Sequence, residues 1–442
     1  MTAEESVYVR IQKGIDMYDG IRPLDEAAME AARKRQAELA KPPHSLGMLE
    51  DISIRLAGIT GKVVSSVERR RILIFAADNG IVEEGVSSCP QSVTLAQTVN
   101  FTRGMTGVAV LAEHFKTELS VIDVGIAADF SCPGVVSRKV AHGTKNFALE
   151  PAMTVKEAEQ AMAAGREAVL AAKKDGVEIL GIGEMGIGNT TTSSAVLSAL
   201  LGLPAGDTVS RGAGLTDEAL KKKIRVIDEA LTKYGFPGGR EGSGCEYETI
   251  EICGTDNSGI TESDRRAERN HAETESLKCT SADSGIKKQP VHFPNKEYVM
   301  SVLSTVGGFD LAAMAGAYLT AAEERIPVVI DGFISAVAAL VAVKLNPLSA
   351  EYMFASHASV EKGYALAMNE IGLSPMLSLD MRLGEGSGCP LAFMIISAAE
   401  AVIGNMATFD EAEINDDYLA GIRGNPRLQG DPSAHMCNPK CP

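Results

Sequence analysis

The sequence has no tryptophan, and only 5% of its residues are aromatic. Its eight cysteines form no CxxC pair, and its seven histidines form no HxxxH or HExxH pattern. The cysteines are spread widely along the chain, which suits reduced thiols better than a disulfide framework. A structural zinc site is therefore disfavoured, and the sequence gives no support for metal catalysis.

Positive charge is also scarce, since 42 lysines and arginines stand against 58 acidic residues, for a formal charge of -16. Because phosphate-backbone binding needs a basic face, nucleic acid and anionic membranes are disfavoured as partners. An anionic small molecule would need a locally basic or amide-lined pocket.

No long uninterrupted apolar run is present. The longest apolar stretch, residues 326–345, contains Asp331 and Ser335 and is interpreted as a strand, a turn and a helix, so no membrane span is predicted. The N-terminal segment has no basic region followed by an apolar one, which argues against a signal peptide. We therefore expect a soluble, cytoplasmic protein.

The chain of 442 residues is 45% hydrophobic, and its length alone suggests about three domains, or one large α/β unit with a small domain. Residues 237–294 and 416–442 are poor in aliphatic side chains and are predicted to be a disordered insertion and a tail. Residues 1–60 are predicted to form a small helical subdomain, with a break at Pro42–Pro43 and with part of the C-terminal region. Residues 61–236 and 295–415 are predicted to form the α/β catalytic domain.

Four apolar runs end in glycine-containing turns and are each followed by a helical pattern; they lie at residues 70–80, 119–127, 177–189 and 326–333. Strands that are apolar on both faces and alternate with helices predict a parallel sheet that is covered on both sides. Ligands bind such sheets beyond the carboxyl ends of the strands, where these glycine turns lie.

The densest motif is GIGEMGIGNTTTSS, from Gly181 to Ser194. Glycines let a ligand approach the backbone, and a helix that opens at Asn189 or Thr190 would favour a phosphate at its N-terminus. The alternative is a tight turn without a ligand. The segment also matches GxGxxG, which is weak evidence by itself, and it is not a Walker A motif because no Lys-Ser or Lys-Thr follows the last glycine.

A second glycine turn contains Gly212 and Gly214, with Thr216 as the expected N-cap of a helix that carries Lys223. Backbone amides and an ammonium group together could hold a phosphate. The alternative is that Lys223 is an ordinary solvated charge on a helix surface.

A third turn places Glu385 between Gly384 and Gly386, just before an apolar helix. Apolar surroundings can raise the pKa of a carboxyl towards neutrality, as a general base requires. The alternative is that Glu385 only caps the following helix. Glu184, within the first glycine turn, is a second candidate carboxylate.

A fourth segment starts at Asp78, which ends a predicted strand, and leads through Cys89 to a helix that presents Gln97, Asn100 and Phe101. Amide and aromatic side chains suit a pocket wall for an aromatic, nitrogen-bearing ligand. A packed loop is the alternative.

Taken in order, these segments resemble the nicotinate-nucleotide:dimethylbenzimidazole phosphoribosyltransferases of cobalamin lower-ligand assembly. The resemblance covers nearly all of residues 40–235 and 297–412 and rests on the stretches PPHSLGMLE, FAADNGIVEEGVSSCPQSVT, GIGEMGIGNTTTSS, RGAGL, VGGFDLAAMAGAYL, IDGFISAVAALVA and MRLGEGSG.

The resemblance implies a Rossmann-like parallel sheet with helices on both faces, plus a small helical domain from the chain ends, in a homodimer with active sites near the interface. It implies transfer of the 5-phosphoribosyl group from nicotinate mononucleotide to 5,6-dimethylbenzimidazole, giving α-ribazole 5'-phosphate and nicotinate. It implies no metal and no cofactor.

The same resemblance assigns roles residue by residue. Glu385 is implied as the general base, with Glu184 as a supporting carboxylate. The implied phosphate and nucleotide site comprises Gly186, Gly188, Asn189, Thr190, Gly212, Gly214 and Lys223, with Asp331 and Ser359 near the ribose and nicotinate. The implied base pocket comprises Ser88, Cys89, Gln97, Met185 and Leu383.

Two positions depart from the family pattern: Asn79 and Tyr364 stand where histidine is usual. Together with Cys89 they leave the acceptor base open among benzimidazoles, purines and phenolics. Two other functions also stay open: a noncatalytic sensor of a nucleotide or aromatic base that uses the insertion and tail for partners, and a dinucleotide-dependent oxidoreductase based on GxGxxG.

Overall fold

A six-stranded, wholly parallel sheet in the order β3-β2-β1-β4-β5-β6 organises the chain. The computed structural model describes residues 18–211, 214–239 and 295–419, so Gly212 and nearly all of the predicted insertion and tail lie outside the described residues. The strands are β1 Arg70–Ala77, β2 Glu118–Gly125, β3 Val135–Ser137, β4 Ile179–Met185, β5 Val328–Ile330 and β6 Met353–Ala355. This is the Rossmann strand order, and the predicted α/β fold is confirmed.

The strands are buried on both faces because helices cover them. All seven residues of β4 are buried, as are the last six of β1, which accounts for their near-continuous apolar sequences. The helices are α1 Glu26–Glu38, α2 Met48–Thr60, α3 Ser92–Thr102, α4 Gly107–His114, α5 Val155–Lys174, α6 Asn189–Leu201, α7 Ala205–Thr208, α8 Asp217–Lys233, α9 Lys296–Val306, α10 Phe309–Glu323, α11 Phe333–Leu345, α12 Lys362–Ile371 and α13 Cys389–Asn405.

The longest apolar stretch of the sequence is strand β5 followed by helix α11, as predicted. Helices α10 and α11 are buried on nearly every side, so their apolar character reflects a central position in the core. Within the described ranges, no helix combines the length and the hydropathy that crossing a bilayer requires.

The N-terminal helices pack against the C-terminal helix. Helices α1 and α2 are separated by a segment containing Pro42 and Pro43, at the predicted break. Ala32, Ala57 and Ile403 form a small buried cluster that joins α1, α2 and α13. These helices belong to the same compact unit as the sheet. A separate subdomain for residues 1–60 stays a prediction.

The chain order reverses between β1 and β4, which are neighbours at the centre of the sheet. At such a switch point the loops leave in opposite directions and open a crevice beyond the carboxyl ends of the strands. Phe75 of β1 pairs with Glu184 of β4, which brings Glu184 to this crevice.

Candidate active site

A cavity of about 620 Å³ lies beyond the carboxyl ends of the central strands. Its walls come from the turn after β4, the loop before α3, the segment after β5 and the turn before α13. The lining includes Val86, Ser88, Cys89, Val93, Gln97, Glu184, Met185, Gly186, Gly188, Asn189, Thr190, Arg211, Phe333, His357, Ser359, Arg382, Leu383 and Glu385.

The turn after β4 brings the start of helix α6 to the cavity. The helix begins at Asn189 as predicted, and Gly188 takes a φ of +93° at its N-cap, a conformation that favours glycine. No side chain caps this helix end. Gly186, Gly188, Asn189 and Thr190 all line the cavity, so the positive end of the helix dipole faces it.

Lys223, predicted to bind the phosphate, is not a surface lysine and does not line the cavity; it lies beneath the start of helix α6. Its side chain is 1% exposed, and its Nζ donates a hydrogen bond to Thr190 Oγ1 at 2.8 Å. Burial lowers the pKa of the Lys223 ammonium to about 8. Thr216 caps helix α8 as predicted, whereas Gly214, with a φ of +107°, does not line the cavity.

Internal packing explains the GxGxxG match. A Cβ atom on Gly181 would lie 2.7 Å from the Cys389 Cβ, and one on Gly183 would lie 2.5 Å from the Glu385 carbonyl oxygen. A Cβ on Gly186 would lie 2.6 Å from the carbonyl oxygen of Ala77. Gly181 and Gly183 let the start of α13 and the turn before it pack on strand β4, and Gly186 lets the turn after β4 pack on the end of β1. This geometry gives no support to a dinucleotide site.

Glu385 lies on a strained turn at the cavity wall. Its φ is +64°, between Gly384 at +79° and Gly386 at +85°. The carboxyl is 6% exposed, and its Oε1 accepts a hydrogen bond from Gln97 Nε2 at 3.2 Å. Its Oε2 is buried towards the start of helix α4, where the Val108 backbone N–H adjoins the carboxyl; burial raises the pKa of the carboxyl, and the contacts with Gln97 and Val108 offset part of that rise. A non-glycine residue held at positive φ is a recurrent feature of functional sites.

The alternative role for Glu385, as a helix cap, is not supported. Helix α13 begins at Cys389 with Gly388 as its N-cap, and no side chain makes a capping hydrogen bond there. Glu385 instead contacts Gln97 from helix α3, and it lines the cavity.

Asp331 stabilises the turn that contains Glu385 through two hydrogen bonds. Its carboxylate oxygens accept hydrogen bonds from the backbone N–H groups of Gly386 at 3.0 Å and Gly388 at 2.6 Å. It is 1% exposed and does not line the cavity, although the sequence resemblance placed it near the ribose. The structure therefore gives Asp331 a supporting position, because its carboxylate is occupied by the turn.

Glu184 lies beside the same turn, and its Oε1 accepts a hydrogen bond from the Glu385 backbone N–H at 3.4 Å. The carboxyl is 7% exposed and lines the cavity. Burial, and next the charge of Asp310, raise the pKa of Glu184 to about 8. The site thus contains two buried carboxyls in neighbouring positions, as the sequence predicted.

The predicted base-pocket residues Ser88, Cys89, Gln97, Met185 and Leu383 all line the cavity. Asn100 Nδ2 donates to Gln97 Oε1 at 2.9 Å, and this contact turns the Gln97 amino group towards Glu385. Phe101 is 3% exposed and packs in the core, so the prediction that it forms part of the wall is wrong. Asp78 is buried and accepts a backbone hydrogen bond from Ala127.

The sequence interpretation missed several residues of the site. Arg211, His357 and Arg382 line the cavity, and Asp310 is buried directly behind Glu184. His357 is two residues from Ser359 and Arg382 is three from Glu385, so proximity to those motifs was the available signal.

Asn79 and Tyr364, the two departures from the family pattern, are 0% and 2% exposed, and neither lines the cavity. Within the described ranges, no group of three or more histidine, cysteine or acidic side chains is arranged to hold a metal ion.

Comparisons with known proteins agree with the motif resemblance. A family model described as Phosphoribosyltransferase matches residues 21–247 and 271–414. A nicotinate-nucleotide:dimethylbenzimidazole phosphoribosyltransferase from Clostridium perfringens is 44% identical over 408 residues, which are 92% of this chain and 97% of that protein. The same-named protein from Ruminiclostridium cellulolyticum is 43% identical and covers 90% of this chain and 96% of its own length.

Among solved structures, CobT from Thermus thermophilus superposes with a TM-score of 0.72 and 35% sequence identity, covering 88% of this chain and 99% of that one. A second structure from the same organism, titled as the phosphoribosyltransferase, gives a TM-score of 0.71. The family resemblance predicted from the motifs is therefore confirmed. The chain belongs to the nicotinate-nucleotide:dimethylbenzimidazole phosphoribosyltransferase family.

Proposed function

We propose that the protein transfers the 5-phosphoribosyl group from nicotinate mononucleotide to 5,6-dimethylbenzimidazole, or to a related base, and releases α-ribazole 5'-phosphate and nicotinate. The observation that carries the proposal is the carboxyl residue Glu385, held at positive φ on the wall of a cavity that also contains the start of helix α6. The reaction would serve assembly of the cobalamin nucleotide loop, as the family resemblance implies.

The 5'-phosphate would bind at the start of helix α6. Gly186, Gly188, Asn189 and Thr190 line this part of the cavity, and the Lys223 ammonium is held by Thr190 Oγ1. A helix N-terminus and a nearby ammonium both favour a dianion, although the protein as a whole is acidic. Ser359 and Arg211 lie on the same cavity and are available to the rest of the nucleotide.

The acceptor base would lie between the apolar side chains and Glu385. Val86, Val93 and Met185 offer contacts to a flat aromatic ring, with Ser88 and Cys89 beside them. When one ring nitrogen of a benzimidazole attacks the ribose C1', the other nitrogen must lose its proton. The Glu385 carboxylate would accept that proton, while Gln97 orients it through the hydrogen bond to Oε1.

Departure of the leaving group needs little assistance from the protein. Nicotinate departs from a positively charged pyridinium, so its departure needs no general acid. In-line attack from the opposite face inverts C1' from β to α. The main catalytic contribution would then be alignment of two flat rings across one ribose, together with removal of one proton.

We also propose a cytoplasmic homodimer with the cavity near the interface. Met105, Leu379 and Leu383 are large apolar side chains that are 68%, 51% and 57% exposed, and Leu383 lies at the cavity. Exposed apolar side chains of this kind are typical of surfaces that another protein chain covers. Sedimentation analysis of the protein and of a Met105→Glu, Leu379→Glu variant tests this: the first should be a dimer and the second a monomer.

A noncatalytic sensor is the second candidate, and no particular feature favours it. A sensor does not need a desolvated carboxyl on the wall of the ligand cavity, whereas this site has one at Glu385.

The product assay decides between these functions. The protein is incubated with nicotinate mononucleotide and, separately, with 5,6-dimethylbenzimidazole, other benzimidazoles, adenine and phenol, and the products are separated and identified by mass. The proposal predicts equal amounts of nicotinate and an α-ribosyl phosphate of the acceptor. Binding of the nucleotide without any product, at high protein concentration and with every acceptor, would contradict it and favour the sensor.

A further inference from the structure

The side-chain amide of Asn189 joins two buried carboxyls. Its Nδ2 donates one hydrogen bond to Glu184 Oε2 and another to Asp310 Oδ2, the latter at 3.1 Å. A primary amide nitrogen carries two hydrogens, so one nitrogen satisfies one oxygen of each acid. Asp310 lies in the first turn of helix α10, and its Oδ1 accepts from the Leu311 N–H at 3.0 Å.

The Asp310 carboxyl packs closely against the backbone of Gly186 and Gly308. A Cβ atom on Gly186 would lie 2.7 Å from Asp310 Oδ2, and one on Gly308 would lie 2.4 Å from Asp310 Oδ1. The side chain of Asn79 packs against the same two glycines, 2.9 Å and 2.5 Å from the same Cβ positions. Two glycines and two asparagines therefore fix this carboxyl behind Glu184.

Neither acid has a cationic partner. Asp310 is 0% exposed and Glu184 is 7% exposed, and none of the ion pairs among the described residues involves either of them. Two carboxyls that share a site without a cation cannot both ionise, because the second charge is opposed by the first and by burial. The pair therefore holds one proton and one negative charge near neutral pH.

We infer that Asp310 is a positioning residue that carries the negative charge of this pair and keeps Glu184 protonated, so that Glu184 presents a neutral hydrogen-bond donor to the cavity beside the Glu385 carboxylate. Asp310 itself does not line the cavity and touches no ligand there. A carboxylic acid that its site keeps neutral can donate a hydrogen bond, which an ionised carboxylate cannot do.

The proton lies on Glu184 for a physical reason. Burial, then the charge of Asp310 and, to a smaller extent, that of Asp331, together raise the pKa of Glu184 to about 8. Burial also raises the pKa of Asp310, but only to about 6, because hydrogen bonds from Asn189 and the Leu311 N–H lower it. Two other charged groups adjoin the pair: Glu385, whose backbone N–H donates to Glu184, and Lys223, which is bound to Thr190, the residue after Asn189.

A protonated Glu184 has a consequence for the proposed reaction. Glu184 and Glu385 lie on one wall, and a second ionised carboxylate there would make ionisation of Glu385 harder. With Glu184 neutral, Glu385 can ionise and act as the base, and the Glu184 hydroxyl can donate to an oxygen of the nucleotide.

Infrared spectroscopy of the full chain tests the protonation state without any assay of activity. The protonated-carboxyl C=O band is titrated in the parent protein, with glutamate labelled with ¹³C at its carboxyl carbon, and the Glu184→Gln variant identifies the band of Glu184. We expect an isotope-sensitive band at pH 7 that disappears near pH 8. In Asp310→Asn the midpoint should fall by about one pH unit or more, since a neighbouring charge is lost. Asp78→Asn, another buried acid that does not contact Glu184, is the control and should leave the midpoint unchanged.

Several outcomes would overturn the inference: no Glu184 band at pH 7 in the parent protein, a band that fails to shift with the glutamate label, or the same midpoint in Asp310→Asn. The first two need no variant of Asp310, so they hold even if that variant does not fold.

Kinetics provide a second readout that rests on the proposed function. The value of kcat/KM should decline as pH rises through about 8 in the parent protein, and Asp310→Asn should move this decline to lower pH by the same amount as the infrared midpoint. A decline at the same pH in both proteins would refute the link to catalysis. Absence of activity in the parent protein would refute the proposed function, whereas the infrared result does not depend on activity.

Discussion

Replacement of Lys223 by methionine should raise the stability of the protein while weakening nucleotide binding. Burial lowers the pKa of Lys223 from 10.5 to about 8, and each unit corresponds to roughly 1.4 kcal/mol, so the buried ammonium costs about 3 kcal/mol at pH 7. Loss of the hydrogen bond to Thr190 offsets about 1 kcal/mol of this gain. We therefore expect the free energy of unfolding to rise by about 2 kcal/mol at pH 7.

The pH dependence has a definite sign. Between about pH 8 and 10.5 the unfolded chain binds a proton at this lysine that the folded protein does not, so stability from this group increases as pH rises through that window. The advantage of Lys223→Met should therefore shrink above pH 8. Urea unfolding at pH 7 and pH 9.5 measures both effects.

The same variant should bind nicotinate mononucleotide more weakly. Lys223 does not line the cavity, so its ammonium would act on the phosphate through Thr190 and by its charge; a contribution of about 1 kcal/mol corresponds to a roughly fivefold rise in Kd by calorimetry. Lys221→Met is the matched control, because Lys221 is exposed on the same helix and should change neither quantity appreciably. Lower stability together with unchanged nucleotide affinity in Lys223→Met would refute the phosphate-site role.

Two further predictions concern packing and titration away from the phosphate site. Gly183→Ala should lower kcat by about 100-fold, because its Cβ would come within 2.5 Å of the Glu385 carbonyl oxygen and displace the turn that carries Glu385. Gly206→Ala is the control, since the space around Gly206 is open, and this variant should have normal turnover. Normal turnover in both variants would contradict the packing argument. Glu400→Gln should raise the free energy of unfolding by about 2–3 kcal/mol at pH 8 but not at pH 4. Burial raises the pKa of Glu400 to about 7, so the stability of the parent protein falls as pH rises from 4.5 through 7. Equal urea midpoints of the two proteins at pH 8 would show that Glu400 is not a buried acid of this kind.

The sheet could be predicted from the sequence where its strands are long and apolar. Strands β1, β4 and β5 lie within predicted runs and β2 begins one residue before its run, since burial on both faces leaves a continuous apolar signal. Strands β3 and β6 have three residues each and lie at the edges, too short to show any period. The family resemblance, more than periodicity, supplied the Rossmann-like arrangement.

The site was predictable where a residue type is unusual in its local sequence. Glu184 and Glu385 lie among glycines and apolar residues, and both are at the cavity. Asp310 lies in the first turn of the apolar helix α10, where an acidic residue is common, and its role depends on contacts with Asn79 and Asn189 from other segments. Asp331 lies next to the cavity-lining Gly332, but only tertiary structure shows that the turn before α13 occupies its carboxylate.

The central claim is that Glu385 removes the proton of the acceptor base during phosphoribosyl transfer. The most direct measurement compares Glu385→Gln with the parent protein at saturating nicotinate mononucleotide and acceptor, while calorimetry records nucleotide affinity. We predict that affinity is retained within about twofold and that turnover falls by roughly 10²- to 10⁴-fold, because Gln preserves the shape of the side chain but cannot accept the proton. Turnover of Glu385→Gln close to that of the parent protein would contradict the account.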